Sequence, residues 1–241
     1  MLNARTQQTL LLDADDTLWE NNIYFERAIA AFISFLDHAF HTPAEVRERL
    51  NRVERETIAE RGYGTESFRI SLIRCFEEMS ETSLSEVQHQ CVMSFADAIV
   101  TAEIELIKGV REALAVLARE HRLILVTKGD SLEQRDKLER SGLEVYFAAV
   151  EVLPEKTAEA YREIGARHAC LPEATWMIGN SPRSDINPAL AAGFHAIFIP
   201  HSDTWILEDE ELSTPIGEQR LLRLERLDQL PEALLSGQGF K

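Results

Sequence analysis

Short apolar runs that alternate with amphipathic helices are the feature that most restricts the fold of this 241-residue chain. Apolar runs predict strands at residues 10–12, 123–126, 148–152, 175–178, 196–199 and 221–227. Helical patterns occur at 110–119, 132–141, 158–166, 186–192 and 231–235, with a loop at 201–217. Short continuous apolar runs are typical of strands buried on both faces of a parallel sheet. The alternation therefore predicts an α/β fold, a doubly wound parallel sheet.

A long helical stretch interrupts this pattern after the first strand. From about residue 21 to 107 the sequence has helical periodicity and no strand pattern. The spacings Thr42-x-x-Glu45 and Ser83-x-x-Glu86 predict helix starts by capping boxes, and Gly62 predicts a break. Ser131 is a candidate cap for the helix at 132–141. We therefore predict a helical domain at 20–106, inserted into a core formed by 1–19 and 107–241.

The charge and cysteine content restrict the partners and the compartment. Lys and Arg number 25 against 41 Asp and Glu, a net charge of −16, so nucleic acid and anionic membranes are unfavourable partners. Three separated cysteines indicate neither a disulfide framework nor a zinc site, which favours the reducing cytoplasm. The sequence has no signal-peptide or membrane-spanning pattern. An acidic chain needs a local positive charge, such as a metal ion or a lysine, to bind a small anion.

Polar residues follow several predicted strands, at the edge where such sheets bind ligands. Asp13 and Asp15 follow the first strand, Thr127 ends the second, Lys156 precedes the helix at 158–166, and Asp185 ends the turn after the fourth strand. Alternation along an extended chain would place the carboxylates of Asp13 and Asp15 on one side, where repulsion raises one pKa unless a cation intervenes. Each residue also has an ordinary interpretation: a solvated turn, a helix cap, a solvated lysine or an acid at a helix start.

Taken together, these residues resemble the ordered motifs of the haloacid dehalogenase-like hydrolase superfamily. The set is DADDT at 13–17 after an apolar strand, then Thr127, Lys156, and the acidic turn that ends in Asp185. The resemblance covers about residues 10–200 and implies a Rossmann-like catalytic core with a helical cap inserted after the first motif. Many members carry Asp where this chain has Asn180, and an Asn there can still orient a metal-bound water or Lys156.

The resemblance also implies hydrolysis of a small phosphate monoester with Mg²⁺. Asp13 would attack phosphorus and form an aspartyl-phosphate. Asp15 would protonate the leaving oxygen and then deprotonate water, a role that suits a raised pKa. Thr127 and Lys156 would donate to the phosphate. Mg²⁺ would bind Asp13, Asp185 and the backbone carbonyl of Asp15, and would let a chain of charge −16 hold an anion.

Other functions share part of this set. A 2-haloacid dehalogenase would have a similar fold and nucleophile, but it needs neither a metal nor a leaving-group acid, so Asp15 and Asp185 argue against it. Phosphomutase and phosphonatase activities are further alternatives. A binding or interaction protein on the same fold would need a broken motif, for which Asn180 is the one candidate. The predicted partner is a small phosphorylated metabolite, while its identity and the oligomeric state stay open.

Overall fold

The computed structural model describes residues 7–36, 41–80 and 83–235, which divide into two compact units. One unit contains the residues up to Glu20 together with those from Ile104 onward, and the other is Asn21–Glu103. The described residues of the second unit form helices α1 (Asn22–Phe35), α2 (Pro43–Arg61), α3 (Thr65–Ser80) and α4 (Glu86–Val100). They pack around a shared apolar core.

The first unit is a parallel sheet with helices on both faces. Its strands are β1 (Thr9–Leu12), β2 (Arg122–Lys128), β3 (Ala149–Leu153), β4 (Thr175–Gly179), β5 (His195–Phe198) and β6 (Leu221–Arg223). Its helices are α5 (Val110–Glu120), α6 (Ser131–Ser141), α7 (Ala158–Arg167), α8 (Asn187–Ala191) and α9 (Leu230–Leu235). No helix in the described ranges has the length and apolarity that a membrane span requires.

The strand order places two strand ends at the point where the sheet reverses direction. The order is β3-β2-β1-β4-β5-β6, and all pairs are parallel. From β1 the chain builds outward to β3, then crosses to β4 and builds the other way. Ligands bind beyond the carboxyl ends of strands at such a reversal. The residues that follow β1 and β4 therefore lie where a site is expected.

Alternate residues of β1 pack on opposite faces of the sheet, which explains its continuous apolar run. Leu10 and Leu12 pack in the same buried cluster as Leu114 of α5. Leu11 packs on the other face with Tyr161 of α7. The predicted doubly wound α/β fold is confirmed, because both faces of the sheet are covered.

Several predicted boundaries in the first unit are wrong in detail. The strand predicted at 221–227 ends at Arg223, because Leu227 begins a short 3₁₀ turn and packs in the core instead. The cap of α6 is Asp130 rather than Ser131, since the Asp130 side chain accepts two backbone N–H bonds. The helix predicted at 186–192 is shorter, because a π-helical turn, Pro182–Ile186, precedes it.

The second unit follows its local signals with one exception. Thr42 and Glu45 form the predicted capping box. Gly62 ends α2 with a φ of 84°, a left-handed conformation that favours glycine. The second capping box joins Ser85 and Gln88, so the prediction of Ser83 as the cap is wrong by two residues. Both pairs have the same spacing, which the local pattern alone does not distinguish.

Glu54 of α2 is a carboxyl group buried within the second unit. It is 6% exposed, and no donor among the described residues reaches its Oε2 atom. Burial raises the pKa of Glu54 from 4.5 to about 7, with Arg47 opposing and Glu26 reinforcing the shift. The folded chain therefore binds this proton more tightly than the unfolded chain. The contribution of Glu54 to the free energy of unfolding is therefore full below about pH 4.5 and is lost as the pH rises through about 7.

We expect Glu54→Gln to stabilise the protein more at high pH than at low pH. The gain in free energy of unfolding at pH 8 should exceed the gain at pH 5 by about 2–3 kcal/mol, because only the parent chain must bury an ionised carboxylate. Urea unfolding at both pH values measures the difference. Glu48→Gln, at an exposed position of the same helix, is the matched control. Equal gains at pH 5 and pH 8 would contradict the raised pKa.

Candidate active site

Four of the predicted site residues lie buried at or beyond the carboxyl ends of the strands. Asp13 follows β1 directly, Thr127 is the penultimate residue of the neighbouring β2, and Lys156 lies between β3 and α7. Asp185 lies in the π-helical turn Pro182–Ile186 after β4. All four are buried. The interpretations of Asp13 as part of a solvated turn and of Lys156 as a solvated lysine are therefore wrong.

Lys156 binds the two buried carboxylates of the site. Its Nζ atom donates to Asp13 Oδ1 at 2.5 Å and to Asp185 Oδ1 at 2.7 Å. Burial by itself would lower the pKa of the Lys156 ammonium, but the carboxylates of Asp13 and Asp185 outweigh it and hold the pKa well above its usual value. Lys156 is therefore a permanent cation at the centre of the site.

The Asp185 carboxylate is held close to the backbone of β4. The backbone N–H of Ser181 donates to Asp185 Oδ2 at 2.9 Å. A Cβ atom on Gly179 would lie 2.2 Å from the same oxygen, so only glycine leaves room for this carboxylate. Burial and the neighbouring Asp13 raise the pKa of Asp185, and Lys156 opposes that shift.

The second oxygen of Asp13 is held by the motif that follows β1. Thr17 Oγ1 donates to Asp13 Oδ2 at 2.8 Å and lies 3.3 Å from Asn180 Oδ1. The Asn180 amide in turn donates to Thr204 Oγ1 at 2.9 Å. Asn180 therefore contacts the hydroxyl groups of two threonines at the site.

Asp15 lies in a separate set of contacts from Asp13. Its carboxylate accepts from Lys137 Nζ at 2.9 Å, Gln134 Nε2 at 2.9 Å and Trp19 Nε1 at 2.7 Å. Burial would raise the pKa of Asp15, but Lys137 and these hydrogen bonds outweigh it and lower the pKa. The expectation of a raised pKa at Asp15 is therefore wrong, because its partners were not visible in the local sequence.

The residues at the site fit a hard divalent cation such as Mg²⁺. Asp13 and Asp185 are two buried carboxylates that share one ammonium, that of Lys156, so one negative charge is left without a partner cation among these three side chains. All the atoms that would bind the cation are oxygens, which are the ligands that Mg²⁺ prefers. The Asp15 side chain is held by Lys137, which leaves its backbone carbonyl as the predicted ligand.

A separate cluster of Asp16, Glu20 and His201 has three potential ligand atoms within 4.8 Å of one another. The backbone N–H of Asp203 donates to His201 Nδ1, which makes Nε2 the protonated nitrogen. Nε2 lies 3.2 Å from Glu20 Oε2, within ion-pair distance. Contacts within the protein therefore account for both ring nitrogens, and we assign no ion to this cluster.

Sequence reasoning missed three residues that contact the site. Lys137 and Gln134 lie three residues apart on α6 and so share a helix face, but nothing local links that face to Asp15. Glu208 lies in the loop between β5 and β6, where the sequence has no periodicity. Their roles depend on long-range contacts, which a single sequence does not reveal.

Comparison with solved structures gives the same fold. A haloacid dehalogenase-like family hydrolase from Xanthomonas campestris is 30% identical, with a TM-score of 0.80 and 95% of each chain covered. The L-2-haloacid dehalogenase from Xanthobacter autotrophicus is 14% identical, with a TM-score of 0.66. The match covers 97% of this chain and 100% of the dehalogenase chain. At that identity, the second likeness concerns the fold alone.

Two phosphatases are similar in sequence. An N-acylneuraminate-9-phosphatase from Rattus norvegicus is 33% identical over 94 residues, which is 37% of this chain and 38% of that protein. A glyceraldehyde 3-phosphate phosphatase from Methanothermobacter thermautotrophicus is 24% identical over 201 residues, 80% of this chain and 85% of that protein. The match to the rat protein thus spans well under half of that relative.

A family model provides the decisive comparison, because it spans both the first motif and the turn that holds Asp185. It matches residues 7–193, most of the chain. The chain therefore belongs to the haloacid dehalogenase-like hydrolase family.

Proposed function

We propose that this protein hydrolyses a phosphate monoester of a small metabolite, with Mg²⁺, through an aspartyl-phosphate intermediate. The observation that carries the proposal is the buried arrangement of Asp13 and Asp185 around Lys156. A carboxylate held by donors on both oxygens is oriented for attack, and an adjacent ammonium compensates the charge of a phosphate. The similarity to two phosphatases supports this class of substrate.

Asp13 would be the nucleophile. Its carboxylate forms a bond to phosphorus as the bond between phosphorus and the leaving oxygen breaks. Water then attacks phosphorus, and the Asp13 carboxylate leaves unchanged. Lys156, and Thr127 at the end of β2, would donate to the phosphoryl oxygens during both steps. Thr17 would keep Asp13 in one orientation by its hydrogen bond to Oδ2.

Asp15 would move the protons. It donates one to the leaving oxygen in the first step and takes one from the attacking water in the second. Lys137 holds Asp15 as a carboxylate in the structure, which is the form the second step requires. The first step requires a protonated Asp15, a form that Lys137 disfavours in the structure.

A divalent cation fits the remaining chemistry. Asp13, Asp185 and the backbone carbonyl of Asp15 would hold Mg²⁺, which when bound compensates the charge of the phosphate. This is the local positive charge that an acidic chain needs to bind an anion.

The rest of the chain suits an enzyme of this class. We propose residues 20–106 as a cap that selects the substrate. Cys75, Cys91 and Cys170 are free thiols, which suits the reducing cytoplasm as the place of action.

The proposal predicts that hydrolysis of p-nitrophenyl phosphate depends on Mg²⁺. Excess EDTA should lower the rate on the order of 10²-fold or more, because the cation compensates the charge of the phosphate. Addition of Mg²⁺ beyond the EDTA should restore the rate, and preformed Mg–EDTA is the control for effects of the chelator itself.

Three results would contradict this proposal. The first is undiminished hydrolysis in excess EDTA. The second is chloride release from 2-chloropropionate without Mg²⁺ and without phosphatase activity, which would favour the dehalogenase alternative. The third is absence of chloride release together with absence of hydrolysis across a panel of phosphorylated metabolites, which would favour a binding protein on this fold.

A further inference from the structure

Glu208 is a buried carboxylate on the loop between β5 and β6, and the proposed chemistry does not use it. It is 8% exposed. Its Oε1 atom accepts from Lys128 Nζ at 2.5 Å, and its Oε2 atom accepts from Ser181 Oγ at 2.6 Å and from Ser184 Oγ. Three donors thus converge on one side chain from two other segments of the first unit.

These contacts keep Glu208 ionised. Burial would raise its pKa, but Lys128 and the two serine hydroxyls outweigh burial and lower the pKa. Lys128 Nζ also donates to Ser184 Oγ at 2.8 Å, so each of the three side chains is hydrogen-bonded to the other two. Lys128 is the last residue of β2 and is adjacent to Thr127.

Glu208 reaches Asp185 through a short chain of hydrogen bonds. Ser181 donates its hydroxyl to Glu208 and its backbone N–H to Asp185 Oδ2 at 2.9 Å. The backbone N–H of Ser184 donates to Ser181 Oγ at 2.9 Å, and Ser184 directly precedes Asp185. Glu208 thus binds Ser181, which donates to the Asp185 carboxylate, and Ser184, which precedes Asp185 in the chain.

Other contacts join the same loop to the same turn. Thr204 accepts from the Asn180 amide, and the backbone carbonyl of Leu207 accepts from Arg183 Nη1 at 3.0 Å. Hydrogen bonds therefore join three residues of the segment 204–208 to four residues of the segment 180–184.

A role in global stability alone accounts poorly for this arrangement. A buried ion pair contributes little net stability compared with an apolar pair of similar size. A carboxylate that accepts three bonds, by contrast, fixes the direction of each donor. Outer partners of this kind orient the groups that bind a metal.

We propose that Glu208 is a positioning residue that holds the turn 180–185 in the conformation in which Asp185 binds a divalent cation. This inference rests on the proposed function, because it assumes that Asp185 is a metal ligand. Glu208 itself lies one hydrogen-bonded serine away from Asp185 and acts through it.

Cation binding to the full-length protein without substrate tests the inference. Mn²⁺ takes similar oxygen ligands, and its free EPR signal reports the bound fraction, with Mg²⁺ as competitor. Glu208→Gln should raise the Kd for Mn²⁺ by about 10–100-fold. Asp185→Asn should raise it at least as much. Glu211→Gln, which removes the same charge from an exposed position of the same loop, should bind like the parent.

A second, smaller change covers the case in which Glu208→Gln does not fold. Ser184→Ala removes one hydroxyl donor, and it should raise the Kd by about 3–10-fold, at the lower end of effects on such outer partners. Steady-state kinetics give a separate readout. With Glu208→Gln the Mg²⁺ concentration for half activation should rise, and kcat at saturating Mg²⁺ should recover most of the parent value.

The outcomes separate the two proposals. If the parent binds Mn²⁺ and Asp185→Asn weakens it, but Glu208→Gln and Ser184→Ala bind like the parent, the role of Glu208 is overturned and the proposed function stands. If Glu208→Gln does not fold, parent-like binding by Ser184→Ala is enough to overturn it. If the parent binds neither Mn²⁺ nor Mg²⁺, both proposals fail. A loss of kcat that saturating Mg²⁺ does not restore would also overturn positioning through the cation site.

Discussion

Asp13→Asn should reduce turnover of every phosphate ester by about 10⁴-fold or more, as expected when a covalent nucleophile is removed. The amide keeps the size of the side chain but cannot displace the leaving group. The loss should affect kcat, with Mg²⁺ present throughout, and circular dichroism should show an intact fold. Asp209→Asn, at an exposed position, is the control for loss of one negative charge and should retain full activity.

The parent enzyme should also carry the phosphoryl group on Asp13 during turnover. Rapid acid quench with ³²P-labelled substrate should leave label on the peptide that contains Asp13, and hydroxylamine should release it, because it cleaves acyl phosphates. Label on the peptide of Asp13→Asn would assign the nucleophile to Asp15 or Asp16. No labelled protein under single-turnover conditions, together with inversion of configuration at phosphorus, would indicate direct attack by water.

Asp15→Asn should have the second largest effect, and its size should depend on the leaving group. Loss of a general acid–base group costs about 10²–10⁴-fold, which we expect for alkyl phosphates. An activated nitrophenolate departs with little help from an acid. For nitrophenyl phosphate, the rate of formation of the covalent intermediate should therefore fall much less. Burst kinetics on a series of aryl and alkyl esters measure this step.

The contacts of Asp15 supply the control for this prediction. Lys137→Met removes the ammonium that holds Asp15 but leaves the carboxyl group in place. The rate of the first step should therefore depend less on the leaving group in Lys137→Met than in Asp15→Asn. If Asp15→Asn slows the first step equally for alkyl and nitrophenyl esters, Asp15 has a structural role rather than the role of an acid.

Local sequence patterns were sufficient to predict a doubly wound parallel sheet. The apolar run before Asp13 predicted β1 because both faces of that strand are covered, and a strand covered on both faces requires apolar residues throughout. The capping box at Thr42 and the break at Gly62 were equally predictable, since the interactions span at most a few residues.

The resemblance of the chain to the ordered motifs of a protein family predicted the site residues, but the contacts of these residues depend on the whole fold. Lys156 is 143 residues from Asp13 along the chain, and the parallel pairing of β1 with β2 and of β2 with β3 brings their side chains together. Lys137 pairs with Asp15 over 122 residues, and that pair lowers the Asp15 pKa instead of raising it.

The sequence by itself thus determined which segments are strands and helices, because hydrophobic periodicity is local. Only the tertiary structure decided how each charge is compensated, because the Coulomb energy of a carboxylate depends on which distant groups lie within a few ångströms. Glu208 shows this most clearly. It lies in a loop without periodicity, and its three donors come from segments 24 to 80 residues away.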